Sequence, residues 1–225
     1  MLNPRKKMTK KEVKEDKFVE VALSAKAYIE DNYKQVSIIV ASVFGLILLL
    51  MLWNYVHKQN AEKSSALLGQ AQLEYQNLNY SKAKDFIQRL MDEYPGTDAS
   101  DQGTFLYANL LYQEKNYDEA KALFKEFTDD YSGSDILIAS GLAGYAACLE
   151  KEGNYEEAAE YYISAQKKDK DFIEASNYLY LAGLNYIAAG NYDDAKKALQ
   201  KILDDYEASE HQPDAKAKLI MLANK

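Results

Sequence analysis

This 225-residue sequence contains only one cysteine, three prolines and two histidines. A single cysteine, Cys148, cannot close an internal disulfide, and without a Cys-x-x-Cys pair the common redox and zinc arrangements are excluded. Lying between Ala147 and Leu149, Cys148 reads as a small buried hydrophobe. The histidines, His57 and His211, stand far apart in the chain and read as surface residues rather than as a general base with partners. No glycine-rich phosphate loop is present, because Gly141 and Gly144 fall inside a predicted helix with no lysine after them. Acidic pairs occur at Asp92-Glu93, Asp129-Asp130 and Asp204-Asp205, but they follow a regular spacing and read as solvated surface rather than as a metal site. The sequence therefore predicts no catalytic residue, no cofactor, no bound metal and no small-molecule substrate. The shortage of proline, set beside 19 tyrosines, suits a chain that is nearly all helix.

Charge is divided unevenly. Residues 1–35 carry nine Lys/Arg and six Asp/Glu, net +3, whereas the remainder carries 18 against 29, net −11. A body of that sign repels phosphate backbones, so nucleic acid is not an expected partner.

Residues 36–56 contain no charged side chain. As a helix they would span ~31 Å, matching the hydrocarbon core of a bilayer. Tyr33 at one end and Trp53 and Tyr55 at the other place aromatic rings where headgroups begin. The preceding region is too long for the basic head of a signal peptide, and the large residues Leu52-Trp53-Asn54-Tyr55 offer no cleavage site. One transmembrane helix is predicted at 36–56, anchoring a body over residues 57–225. Arg5, Lys6, Lys7, Lys10, Lys11, Lys14 and Lys17 hold the tail on the cytoplasmic side by the positive-inside rule. In a Gram-negative bacterium the body would then be periplasmic and the anchor would lie in the inner membrane. In the tail itself (1–35), Phe18, Val21, Ala22, Ala25, Tyr28 and Ile29 mark one helical face. That face suits the membrane surface, a docked partner, or a solvated lead-in to the span; the residues leave these open.

Four segments of the body repeat: Asn79-Tyr80-Ser81-Lys82-Ala83, Asn116-Tyr117-Asp118-Glu119-Ala120, Asn154-Tyr155-Glu156-Glu157-Ala158 and Asn191-Tyr192-Asp193-Asp194-Ala195. Their tyrosines are 37, 38 and 37 residues apart, a period that predicts an all-α solenoid of stacked helical hairpins. Asparagine, or Gly-Asn at 153–154 and 190–191, is read as ending one helix and making the turn, and the acids then favour the dipole at the start of the next. Pro213 is placed to open a final capping helix over 213–224, with Ala215, Leu219, Ile220 and Leu222 on its apolar side. No Pro- or Gly-rich linker separates the span from Ser64, so the span is expected to run directly into the first repeat helix.

On these residues the body resembles the tetratricopeptide repeat family, over about residues 64–210. The family's small residue in helix A is matched by Ala71, Ala108, Ala146 and Gly183, its helix B alanine by Ala83, Ala120, Ala158 and Ala195, and its large apolar residue by Ile87, Phe124, Tyr162 and Leu199. Only Pro95 keeps the family's proline, and the period exceeds the usual 34 residues, which implies longer helices or loops. The resemblance implies a groove lined by the A helices, with Gln72, Tyr75, Phe105, Asn109, Tyr112, Ala147, Glu150, Tyr180, Leu184 and Ile187 facing it. Segments 64–77, 102–113, 139–150 and 175–188 hold no Lys or Arg, so a clamp for an acidic C-terminus is excluded and apolar or extended polypeptide segments are the expected occupants.

The layout of tail, span and repeat domain is similar to that of the bacterial family containing the ancillary subunit of the SecYEG translocon. Local similarity lies in Glu15-Asp16-Lys17-Phe18-Val19-Glu20 and Trp53-Asn54-Tyr55. The resemblance implies a non-enzymatic protein that binds the translocon, periplasmic chaperones, or unfolded and emerging clients. A scaffold for an envelope complex in division, secretion or outer-membrane assembly is the alternative.

Overall fold

The computed structural model describes residues 10–171 and 173–223. Of the sequence features above, Arg5, Lys6 and Lys7 lie outside the described residues, as does residue 224 of the expected capping helix. The described residues form ten helices and no strand, an all-α architecture. The chain divides after Lys58 into two units.

The first unit holds α1 (Lys10–Asp31) and the beginning of α2 (Tyr33–Gln76). The charge-free stretch lies within α2, which is long and apolar enough to cross a membrane and whose apolar window is not buried in the structure. Phe18, Val21, Tyr28 and Ile29 are exposed on α1. Val19 and Leu23 are exposed as well, and they fall to one side of the stripe drawn from the sequence, so the apolar face is wider than its spacing suggested. His57 stacks on Trp53 with ring centroids 5.8 Å apart.

In the second unit, hairpins follow one another. The A helices are α2 from Ser64 onward, α4 (Asp98–Gln113), α6 (Asp135–Glu152) and α8 (Ala175–Ala189). The B helices are α3 (Tyr80–Glu93), α5 (Tyr117–Asp130), α7 (Tyr155–Lys168) and α9 (Tyr192–Asp205). Each B helix is amphipathic by its own spacing: Ala83, Phe86, Ile87, Leu90 and Met91 fall on one face, as do Ala195, Ala198, Leu199, Ile202 and Leu203. Every small and large residue assigned to the repeat core is buried. Ala71, Ala108, Ala146, Ala83, Ala120, Ala158 and Ala195 have no exposed surface, and Ile87, Phe124, Tyr162 and Leu199 at most 3%. A methyl group built on Gly183 would stand 2.8 Å from Leu199, so helix A approaches helix B too closely there for any side chain. The additional length lies in the A helices α4 and α6, which begin at Asp98 and Asp135, earlier than the segments read from the sequence, whereas α8 begins at Ala175 after a longer connector over 169–174.

The A-to-B turn has one geometry in all four copies. The residue before each asparagine is left-handed: Leu78 (φ 61°), Lys115 (φ 66°), Gly153 (φ 86°) and Gly190 (φ 80°). Its N–H donates back to Tyr75, Tyr112, Glu150 or Ile187, while the asparagine N–H reaches Glu74, Leu111, Leu149 or Tyr186 over 2.8–2.9 Å. This is a Schellman closure, and in the first two copies it corrects the role given to asparagine alone. The preceding residue ends helix A. The asparagine already belongs to helix B, because its carbonyl accepts from Ala83, Ala120, Ala158 or Ala195.

Helix α10 (Gln212–Leu222) begins one residue before Pro213, which lies in its first turn. Ala215 and Leu222 are buried against Leu179, Leu199 and Ile202 of the last hairpin. Ile220 is not on that side: it is 67% exposed, as is its neighbour Met221 at 69%. Helix α10 begins 37 residues after α8, in the register of a fifth A helix, so Ile220 takes the place of Gly183 and faces the side on which a following B helix would pack.

Candidate protein-binding groove

Three positions per A helix carry the groove candidates, and they recur with the repeat: Phe105 with Tyr180; Gln72 with Asn109, Ala147 and Leu184; Tyr75 with Tyr112, Glu150 and Ile187. Gln72 is exposed and the other nine are half-buried. Several rings are engaged within the fold. Phe105 packs on Phe124 and Phe127, with centroids 5.9 and 5.1 Å apart, so its ring belongs to the repeat core as much as to a surface. Tyr75 meets Tyr80 at 5.7 Å and Tyr112 meets Tyr117 at 5.2 Å, each pair joining an A helix to the first residue of its B helix. Tyr180 stacks on His211, 5.0 Å away, which corrects the reading of that histidine as a surface residue. Asn109 Nδ2 donates to the Phe105 carbonyl, 2.8 Å away on its own helix. Ile187 packs against the last-hairpin core. These residues come from successive A helices, so the chemistry along the row changes from amide and phenol (Gln72, Tyr75, Asn109, Tyr112), through a carboxylate (Glu150), to aliphatic (Leu184, Ile187).

At Glu150 three elements converge. Asn185 on α8 donates from Nδ2 to Glu150 Oε2 (3.0 Å) and to the carbonyl of Leu181 (2.9 Å). The Tyr162 ring on α7 lies near enough for the Glu150 charge to act on its hydroxyl. Burial is the main reason the Tyr162 hydroxyl is held far above the ordinary phenol range, and the Glu150 charge adds to it. Tyr112 on α4 is also raised, first by burial, then by Cys148, Tyr117 and Glu150. Asn185 is 3% exposed, and its Oδ1 has no hydrogen-bond partner among the described residues. Glu150 keeps 32% of its side-chain surface, with Lys151 Nζ 3.9 Å from Oε1.

Asn185 and Tyr162 were not among the groove candidates, although the repeat register holds a signal for both. Asn185 occupies the position of Leu110 and Cys148, each of which packs on the preceding hairpin. Tyr162 occupies that of Ile87, Phe124 and Leu199. In both cases one copy is polar where the others are apolar, and the two exceptions meet each other at Glu150. Cys148 itself is inert: burial pushes its thiol up to about 12.

Comparison with known proteins gives a consistent picture. A family model described as a tetratricopeptide repeat-like domain matches residues 26–224. Among solved structures, PilF of Pseudomonas aeruginosa is similar over 72% of this chain and 68% of its own, at 20% identity and a TM-score of 0.56, a likeness of fold. YrrB, described as a TPR protein with an unusual peptide-binding site, aligns over 68% of this chain and 90% of its own at 16% identity, with a TM-score of 0.31, too low to carry an argument. No curated protein matches the sequence.

Proposed function

The chain belongs to the tetratricopeptide repeat-like domain family, whose fold serves protein–protein interaction, and from that premise we propose that it is a membrane-anchored member that receives unfolded or emerging polypeptides beside the secretion translocon. The anchor of this reading is residues 36–56, in the inner membrane, with the tail cytoplasmic and the repeats from 57 to 225 periplasmic. Support for the anchor comes from an exposed, charge-free stretch inside a 44-residue helix. Support for the orientation comes from the lysine-rich tail. The observation that carries the client class is the chemistry of the A helices. Helices α4 and α8 and residues 64–76 of α2 hold no Lys or Arg, and Lys151 near the end of α6 is the one cation on the four segments. Such a surface rejects the acidic tails that cationic grooves clamp and accepts aromatic, aliphatic and basic segments.

Photo-crosslinking residues at Gln72, Tyr112 and Leu184 of the full chain in intact membranes test the reading. These sites are preferred to Phe105, whose ring packs on Phe124 and Phe127. Adducts with translocon subunits and many nascent or unfolded chains are expected. A single stoichiometric envelope protein at all three sites would replace this reading with that of a scaffold, and labelling confined to the B helices would remove the groove. Protease added outside the inner membrane should digest residues beyond 57 and spare the tail; the reverse pattern would overturn the orientation.

A further inference from the structure

A polypeptide groove on the A helices is a general statement, and the Glu150 node allows a narrower one that rests on it. Glu150 is a partly exposed acid, and the group that holds it, the Asn185 amide, is neutral. It orients the carboxylate without supplying an opposite charge. The one cation within 4 Å among the described residues is Lys151, on the next position of the same helix, at 3.9 Å. That separation exceeds the ~2.7–2.9 Å of a charge-assisted hydrogen bond. The node also holds more acceptors than donors. Turning the Asn185 amide over would set Oδ1 against two acceptors, the Glu150 carboxylate and the Leu181 carbonyl, so Nδ2 stays where it donates to both and Oδ1 stays buried without a donor. A buried acceptor left in that state is unfavourable. What this place lacks is a positive group with several N–H bonds.

We propose that Glu150 anchors a lysine or arginine side chain of an extended polypeptide lying along the A helices. Asn185 acts as the positioning residue for the carboxylate. One repeat further on, Leu184 and Ile187 offer half-buried aliphatic contact, and one repeat earlier Tyr112 and Asn109 offer a phenol and an amide. The preferred segment is therefore basic at its centre and apolar on one side. A tie between hairpins is the purely structural role for the same hydrogen bonds. It would make Glu150 matter for stability and not for the charge of the bound segment.

The test uses the full chain in nanodiscs of zwitterionic lipid, so that basic peptides gain nothing from the bilayer. The probes are a fluorescein-labelled nonapeptide with one central lysine among leucines and alanines, and its twins with glutamine or glutamate at that position. Fluorescence anisotropy should show the lysine peptide binding about tenfold or more tighter than the glutamine twin, the gain of one charge-assisted contact, with the glutamate twin weakest. Glu150→Gln should abolish the difference, whereas Glu157→Gln, an exposed acid on α7, should leave the difference intact. Equal binding of the lysine and glutamine peptides to the wild type, or a preference that survives Glu150→Gln, would overturn the cation site and leave the groove standing. If no peptide binds the wild type, the groove reading itself fails. Should Glu150→Gln melt without cooperativity, a wild-type map decides: a photoreactive lysine analogue at the peptide centre must label α6 or α8 around Glu150, and labelling elsewhere sinks the proposal.

Discussion

Lys115 and Leu78 sit in a backbone conformation that glycine fills in the last two copies of the same turn. For a side-chain-bearing residue the left-handed region costs roughly 1–2 kcal/mol, and glycine recovers part of this at the expense of a more flexible unfolded chain. Lys115→Gly is therefore expected to stabilise the repeat unit by about 0.5–1 kcal/mol, read as a higher midpoint of urea unfolding by circular dichroism. A loss of stability would mean that the lysine makes a contact outweighing the strain. The asparagines were prominent in the sequence because they recur; the left-handed residue was hidden in two copies because leucine and lysine do not advertise φ.

At the scale of the element, α10 shows how far helical spacing can mislead. Ile220 and Leu222 are both apolar and two residues apart, and two residues on a helix point to opposite sides. The last hairpin covers Leu222, at 4% exposure, and leaves Ile220 open. Leu222→Ala should cost about 2 kcal/mol or more through lost burial, while Ile220→Lys should change stability by no more than about 0.5 kcal/mol, as surface substitutions do. Comparable losses from both in thermal melts of the purified chain would show that Ile220 is covered in solution. Between elements, Lys84–Glu114 and Lys121–Glu152 join the B helix of one hairpin to the end of the next A helix in the same register. These partly exposed pairs specify neighbours more than they add stability.

Across the whole molecule, burial raises the phenols of Tyr75, Tyr112, Tyr145, Tyr162, Tyr178, Tyr180 and Tyr186, and the Cys148 thiol. Each is an acid whose neutral form the fold prefers. In the unfolded chain the thiol ionises near 9.0 and the phenols near 10.0, while the folded chain still holds those protons. The folded state then binds more protons than the unfolded one, so stability falls as pH rises. Below pH 9 this contribution is fully present, and it is lost progressively above that, toward about 12 for the thiol. Urea midpoints measured from neutral pH upward should stay level and then decline beyond pH 9. A midpoint that holds through this range would show that these rings are more exposed than the structure has them.

What the sequence determined by itself is whatever a helix repeats locally. A 37- or 38-residue period, the small residue in helix A, the alanine and large apolar residue in helix B, and a stretch of 21 residues free of charge were all legible, because each is a statement about spacing along one chain segment. The groove candidates shared that legibility in register only: the spacing placed Phe105 and Tyr180 on A helices but could not tell that their rings pack on Phe124, Phe127 and His211. Tertiary structure alone decided which side of α10 is covered, and that Asn185, Glu150 and Tyr162 form one node. Those residues lie on three different helices, and Asn185 meets a carboxylate 35 positions away. Hydrogen bonds across such separations depend on how neighbouring hairpins pack, which no local pattern records.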